Sequence, residues 1–201
     1  MMKKMTLVVL SLLLTAMTWA QNATKILDQT AAKLKAAGDV KIGFTLEVEG
    51  GSSTGYIKLQ GQKFVLNMGG SIIWFDSKTM WTYLKNNDEV NVTEPSAAEV
   101  AKMNPYAFLS FYKNGYAAKM GGGTSKAYEV VLTGNANSPF KEVIVRINKS
   151  SYIPTSIRMT SAKGAQTYIR CNSFLKNQKY KSSTFQFNQK NYPNAELIDL
   201  R

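Results

Sequence analysis

Apolar and polar positions alternate along most of the chain beyond residue 39 with a period of two. This period is typical of β-strands that have one side in a core and one in water. A glycine- and serine-rich turn at 50–53 and Gly61 divide the first part of the pattern into three strands. The apolar residues on their common side are Phe44, Leu46, Val48, Ile57, Leu59, Phe64, Leu66 and Met68. We therefore predict a three-stranded antiparallel meander with one apolar face.

The stretch "SIIWFDSKTMWTYLKNNDEVNVTEP" at 71–95 continues the meander through two more turns. Asp76 and Ser77 mark the first turn, and the residues "NND" mark the second. The strands on either side are rich in aromatic residues. These residues are Trp74, Phe75, Trp81 and Tyr83.

Strand patterns resume after residue 126, in "AYEVVLTG", "FKEVIVRINK", "IPTSIRMTS" and "AQTYIRCNSF", and end in "TFQFN". The total is about ten or eleven strands, in a mainly β (α+β) protein. Because open twisted sheets rarely exceed about ten strands, a sheet this long must bend strongly and wrap around the helices. No linker or repeat divides the chain, so we predict a single domain over residues 21–201.

Two segments have helical patterns. Residues 22–37 place apolar side chains at helical spacing, and Gly38 supplies a stop. Ser96 and Glu99 form a capping-box motif before short helices over 97–112. The second of these helices is apolar almost all round, so it must be covered on more than one side. Its apolar residues include Tyr106, Phe108, Leu109 and Phe111.

The first twenty residues have the pattern of a secretory signal peptide. Two lysines precede an apolar run from Leu7 to Leu14, and Thr18 and Ala20 fit the small-residue positions before a cleavage site. The run is shorter than the roughly 20 residues that a membrane-spanning helix needs. We predict cleavage near Ala20 and an exported mature protein.

The basic residues are concentrated in the second half of the chain. Residues 21–100 hold 8 basic and 9 acidic residues, whereas residues 101–201 hold 15 and 4. The chain is predicted to be exported and has no recognised nucleic-acid-binding motif, which argues against nucleic acid as a partner. The candidate partners are a membrane surface, an anionic lipid or an acidic protein. The other interpretation is that these lysines and arginines only keep the protein soluble.

Residues that commonly carry catalysis are scarce. The chain has no histidine and one cysteine, Cys171, so no Cys/His metal cluster and no intramolecular disulfide can form. Phosphate-loop, dinucleotide and nucleophile-elbow motifs are missing. The acidic pairs Glu47/Glu49 and Asp88/Glu89 fit solvated positions better than paired catalytic carboxylates. The pattern favours binding over catalysis, with no cofactor and no metal.

These segments together resemble the LolA-type outer-membrane lipoprotein carriers of the periplasm. The resemblance runs through "GYIKLQGQKFVLNM", "IIWFDSKTMWTYLKNNDEVNV", "NPYAFLSFYKNGY" and "STFQFNQKNYPNAELIDL", in order, over nearly the whole mature chain. The most specific piece is "FDSKTMWTY" at 75–83, which is similar to the family's Asp-Gly-Lys-x-Trp-x-Tyr turn.

The resemblance implies an unclosed, strongly curved antiparallel half-barrel whose concave apolar face is covered by helices. It implies that acyl chains of lipoproteins are held between sheet and helices, in a monomeric periplasmic protein that is not an enzyme. An inner-membrane donor complex and an outer-membrane acceptor are the partners it implies. The expected cavity and lid residues are the eight apolar meander residues, Trp74, Trp81 and Tyr83, and Tyr106, Phe108, Leu109 and Phe111.

The chain departs from the family in one respect. Family members have an arginine just after the first hairpin that holds the empty cavity shut, whereas residues 58–64 here are "KLQGQKF". Control of the lid must therefore differ. Two other functions remain open from the sequence, namely a half-barrel that senses lipid or lipoprotein and signals through a protein partner, and a structural or adhesive β-protein with a solid core.

Overall fold

The computed structural model describes residues 22–96, 99–100, 112–113 and 115–201. Helix α1 covers residues 22–36. The strands are β1 (Val40–Val48), β2 (Gly51–Gln60), β3 (Lys63–Met68), β4 (Ser71–Phe75), β5 (Met80–Leu84), β6 (Glu89–Thr93), β7 (Tyr116–Met120), β8 (Ala127–Gly134), β9 (Phe140–Asn148), β10 (Pro154–Ser161), β11 (Gln166–Leu175) and β12 (Glu196–Asp199). Two short 3-10 helices, Ser182–Phe185 and Gln189–Asn191, fall between β11 and β12 in the sequence.

Hydrogen bonding orders these strands as β12-β6-β5-β4-β3-β2-β1-β11-β10-β9-β8-β7. The pairs along β1 to β6 and along β7 to β10 are antiparallel. The pair of β12 with β6 is parallel. The mainly β class and the meander are confirmed, with twelve strands in the described part of the chain rather than ten or eleven. The strongly curved half-barrel and the helices over its concave face stay predictions.

The difference in strand count comes from three segments. The sequence pattern did not predict β7, "YAAKM", or β12, "ELID", because both are short and poor in β-branched residues. The segment "TFQFN", predicted as a strand, instead begins inside a 3-10 helix in which Thr184 N–H donates to Lys181 O at 2.9 Å.

The chain divides into two compact units, residues 1–34 with 108–168 and residues 35–107 with 169–201. We call them the first and the second unit. Two compact units can belong to one domain or to two, so the single domain over residues 21–201 stays a prediction.

The first unit combines α1 with strands β7 to β10. Ala23, Leu27 and Thr30 are fully buried along one side of α1, which confirms its amphipathic pattern. Thr30 satisfies its hydroxyl within the helix by donating to Ile26 O at 2.9 Å. The strands contribute alternating apolar side chains, which are buried. These are Val130, Leu132, Val143, Val145, Ile147 and Ile157.

The second unit contains β1 to β6, most of β11, and β12. Its predicted turns are present: Asp76 Oδ1 accepts hydrogen bonds from the N–H groups of Lys78 and Thr79, and Ser77 takes a φ of 90°. Gly38 has a φ of 65° just after α1, a conformation that glycine adopts without steric cost. The predicted helix stop is therefore confirmed.

Candidate functional site

One face of the second unit is apolar over four adjacent strands, β1 to β4. Register partners in an antiparallel pair point to the same side of a sheet. The pairs Ile42 with Ile57, Ile57 with Leu66, and Leu66 with Ile73 therefore belong to one face. The same registers bring all eight predicted meander residues to this side, which we call the apolar face. They are Phe44, Leu46, Val48, Ile57, Leu59, Phe64, Leu66 and Met68.

Burial on the apolar face decreases toward one end. Ile57 and Phe64 are fully buried, whereas Leu46 and Met68 are half-buried. Val48, at the end of β1, is 46% exposed. The apolar face therefore has a buried centre and, at one end, a rim whose aliphatic side chains are partly exposed to solvent.

Small residues on β2 lie within this rim. Ser53 pairs with Leu46, and Gly55 pairs with both Phe44 and Met68. A Cβ added at Gly55 would lie 3.1 Å from Phe44 Cζ and 2.5 Å from Asn67 O, so only glycine fits there. The small β2 residues therefore lie between the larger apolar residues of β1 and β3.

Three predicted cavity residues lie on the opposite face, and this corrects the sequence expectation. Trp74 pairs with Val65 and Trp81, and Tyr83 pairs with Ile72. Because neighbouring residues of a strand point to opposite sides, Trp74 lies on the other side of β4 from Ile73 of the apolar face. The three aromatic residues pack against the segment after β11, which supplies Phe185, Phe187 and Tyr192. Trp74, Trp81 and Tyr83 therefore belong to a second aromatic core and do not share a surface with the meander residues.

The geometry of this second core is that of closely packed rings. The Trp74 ring centroid lies 5.6 Å from those of Phe187 and Tyr192, and the Tyr83 centroid lies 4.6 Å from that of Tyr192. Tyr83 also donates a hydrogen bond from its hydroxyl to Asp88 Oδ1 at 2.8 Å, which raises its pKa. Phe185 and Phe187 were missed, although their apolar alternation in "TFQFN" was a usable signal.

The predicted lid residues Tyr106, Phe108, Leu109 and Phe111 lie outside the described residues. The capping box before them is confirmed, because Ser96 N–H donates to Glu99 Oε2 at 2.8 Å and Glu99 N–H donates to Ser96 Oγ at 3.4 Å. Their expected role as part of a lid stays a prediction.

The end of the predicted lid segment is tied to α1 within the first unit. The Tyr112 hydroxyl donates to Asp28 Oδ1, and Lys113 Nζ lies 2.9 Å from the same oxygen. These hydrogen bonds, from Tyr112 first and then Lys113, lower the pKa of Asp28. Burial, followed by the hydrogen bond to Asp28, raises the pKa of Tyr112. We call this cluster the Asp28 tie.

Gln60 lies in the region where the family resemblance implies an arginine. Its Nε2 donates to Asp39 Oδ2 at 2.8 Å and to Tyr180 O at 2.9 Å. Gln60 thus connects the residue before β1 and the segment after β11 inside the second unit.

Across the described ranges, no group of three or more His, Cys, Asp or Glu side chains is placed to hold a metal ion. A separate search of the same residues finds no helix with the length and hydropathy needed to cross a membrane.

The fold and the site define a mainly β protein whose antiparallel meander presents one extended apolar face. The sequence profile of the family described as outer membrane lipoprotein carrier protein LolA matches residues 13–163. The chain belongs to this family.

Solved structures with similar folds have low sequence identity to the chain. An uncharacterized conserved protein from Thermus thermophilus is 12% identical with a TM-score of 0.61, and the match covers 89% of this chain and 99% of that one. A proposed outer membrane lipoprotein-sorting protein domain from Vibrio parahaemolyticus is 12% identical with a TM-score of 0.50, over 83% and 97%. These likenesses concern the fold alone. No curated protein matches the chain.

Proposed function

We propose that the protein is a non-enzymatic carrier that shields the acyl chains of lipoproteins on the apolar face of β1 to β3. The observation that carries the proposal is the register that gathers eight apolar residues on one side, with the rim at Leu46, Val48 and Met68 still accessible. Membership of a family described as lipoprotein carriers supports the same ligand class. The lid over this face would come from the 97–112 segment.

The energetics suit such a ligand. Burying hydrocarbon is worth roughly 0.8 kcal/mol per methylene, so a chain of about sixteen carbons gains on the order of 12 kcal/mol against water. A carrier must also release its cargo. Methionine and branched aliphatic side chains around small β2 residues can shield a chain without fitting a single shape.

The location and partners follow from the same proposal. The signal-peptide pattern and the family description support delivery across the periplasm, from an inner-membrane donor complex to an outer-membrane acceptor. Because a single apolar face accounts for binding, we propose that the monomer is the functional form.

The test is mass spectrometry of what copurifies with the protein from the periplasm, comparing wild type with Val48→Glu. We expect lipidated proteins with the wild type and a loss of roughly tenfold or more with Val48→Glu, because a carboxylate at the rim must be desolvated beside hydrocarbon. Val48 is 46% exposed, so folding should change little. Thr54→Glu, exposed on the opposite face of β2, is the matched control.

Two outcomes would overturn the carrier proposal. The protein would be a sensor if lipid copurifies with it but is never delivered to acceptor membranes, and if a stable protein partner is found as well. Absence of any acyl ligand from wild type and variants alike would indicate a structural β-protein.

A further inference from the structure

Two lysines lie side by side on the face opposite the apolar face. Lys41 on β1 is the register partner of Lys58 on β2, one position along from the inward-facing pair Ile42 and Ile57. Both lysines are half-buried. Like charges directly opposite each other in a sheet are destabilising, so the pair requires a compensating interaction.

Aromatic rings supply part of that compensation. Lys41 Nζ lies 4.5 Å from the ring centroid of Tyr56, and Lys58 Nζ lies 5.8 Å from the same centroid. Lys58 Nζ is also 5.6 Å from the ring of Tyr180. The Tyr56 hydroxyl is held by a hydrogen bond from Asn67 Nδ2 at 3.3 Å. The two ammonium groups thus converge on one ring whose position is fixed.

No carboxylate in the described part of the chain forms an ion pair with either lysine. Asp39 is next to this region in sequence, but its Oδ2 already accepts from Gln60 Nε2 and from Tyr180 N–H, both at 2.8 Å. The positive charge of the pair is therefore left for an external anion.

A second observation concerns Tyr180, whose ring lies beside Lys58 and which carries an unsatisfied polar atom. The hydroxyl oxygen of Tyr180 is buried and has no hydrogen-bond partner among the described residues. Such atoms are rare in folded proteins, and a ligand that accepts a hydrogen bond would satisfy this one. Burial, followed by the Asp39 carboxylate, raises the pKa of Tyr180, so the hydroxyl stays protonated and able to donate.

We propose that Lys41, Lys58, Tyr56 and Tyr180 form a binding site for a phosphate group. Lysine binds phosphate as a point charge, and a phosphate offers enough acceptor oxygens for two ammonium groups and one hydroxyl at once. The neighbouring segment 170–195 contains five basic and no acidic residues, which raises the local concentration of anions. The site lies on the other face of β1 and β2 from the acyl-binding proposal and does not depend on it.

The phosphate could belong to a lipid headgroup or be free in solution, and the experiment separates these sources. One arm titrates inorganic phosphate into 15N-labelled protein, with acetate at matched ionic strength as the reference anion. The other arm measures cosedimentation with phosphatidylglycerol vesicles and with phosphatidylcholine vesicles.

The variants are Lys41→Gln with Lys58→Gln, and Tyr180→Phe, with Lys163→Gln as a control for a change in charge. We expect phosphate to shift the Tyr56 and Lys58 amide signals more than acetate does. The double variant should weaken phosphate or vesicle binding at least tenfold, Tyr180→Phe severalfold, and Lys163→Gln less than twofold.

Binding in the phosphate arm supports a soluble phosphate, and binding in the phosphatidylglycerol arm supports a headgroup. The proposal is overturned if neither arm shows binding, if acetate binds equally well, or if the double variant with native near-UV circular dichroism binds like wild type. Failure of the acyl-chain experiment would leave these results unchanged.

Discussion

Asp28 ties α1 to Tyr112 and Lys113, at the end of the predicted lid segment. Its carboxylate accepts from both Tyr112 and Lys113, whereas the family resemblance places control of the lid at an arginine that this chain lacks. Tyr112 is buried, and Asp28 is about half exposed. The tie can therefore hold the position of residues 112–113 while its charge remains in contact with water.

We expect Asp28→Asn to lower the free energy of unfolding at pH 7 by about 1 kcal/mol, the size of a partly exposed charge-assisted hydrogen bond. The folded-state pKa of Asp28 lies below its ordinary value. The stabilisation is therefore fully present above pH 4 and is lost as pH falls through the folded pKa. The measurement is urea unfolding of both proteins at pH 7 and below pH 3, where the difference between the two curves should be smaller.

The corresponding control is Asp88→Asn, which neutralises the carboxylate that accepts from Tyr83 at a turn in the second unit. It should change stability less than Asp28→Asn does. A difference between wild type and Asp28→Asn that persisted undiminished below pH 3 would contradict the ionic account of the tie.

Residue patterns in the sequence were enough to predict the apolar face but not what covers the opposite one. A period of two separates the sides of a strand, and it was enough to place Leu59 and Phe64, which are register partners, on the same face. It does not say which side is covered by distant chain. The family resemblance implied a cavity role for Trp74, and its partners Phe187 and Tyr192 could not be predicted because they are more than 110 residues further along the sequence.

At the scale of elements, the segment between β11 and β12 is what makes two cores possible in the second unit. Its 3-10 helix buries Phe185 completely, and Tyr180 meets that ring edge-on at 5.8 Å. Asn177 and Gln178 fix its start by donating from their N–H groups to Ala37 O and Asp39 O. The segment is thus a structural cover for the aromatic strands β4 and β5.

We expect Phe185→Ala to destabilise the protein by about 3–5 kcal/mol, the usual cost of removing a fully buried aromatic ring from a core. Leu175→Ala, at a residue that is 50% exposed, is the control and should stay within about 0.5 kcal/mol. Tryptophan fluorescence during urea unfolding is the appropriate measurement, because Trp74 and Trp81 report on this core. A shift below about 1 kcal/mol for Phe185→Ala would show that the cover contributes little.

At the scale of the whole molecule, the positive charge is distributed unevenly between the units. The described residues of the first unit hold ten basic and three acidic residues, and those of the second hold twelve and ten. Some basic residues of the second half of the chain are already compensated by ion pairs. Arg146 Nε lies 3.0 Å from Glu129, and Arg170 lies 3.6 Å from Glu47. Arg158 and Lys163 are exposed and form no ion pair among the described residues.

We expect Arg158→Glu combined with Lys163→Glu to slow transfer to an acceptor membrane or partner several-fold at low salt, with little change in acyl-chain affinity. Electrostatic steering acts on the encounter rate and is screened beyond about 8 Å at physiological ionic strength. The measurement is the transfer rate at low and high salt beside equilibrium lipid binding. Lys78→Glu with Lys85→Glu, the same charge change in the second unit, is the control. Equal slowing by both pairs would mean that only total charge matters.

The parallel pairing of β12 with β6 sets the order in which the chain can fold. Residues 196–199 pair with residues 89–92, so more than one hundred residues separate the partners. The other strand pairs of the two meanders join neighbours in sequence and can form early, because closing a short loop loses little entropy. Until residue 199 has been synthesised, the outer edge of β6 presents unpaired N–H and C=O groups to any other strand. The edge of β6 is thus open to edge-to-edge aggregation in the nascent chain until β12 pairs with it.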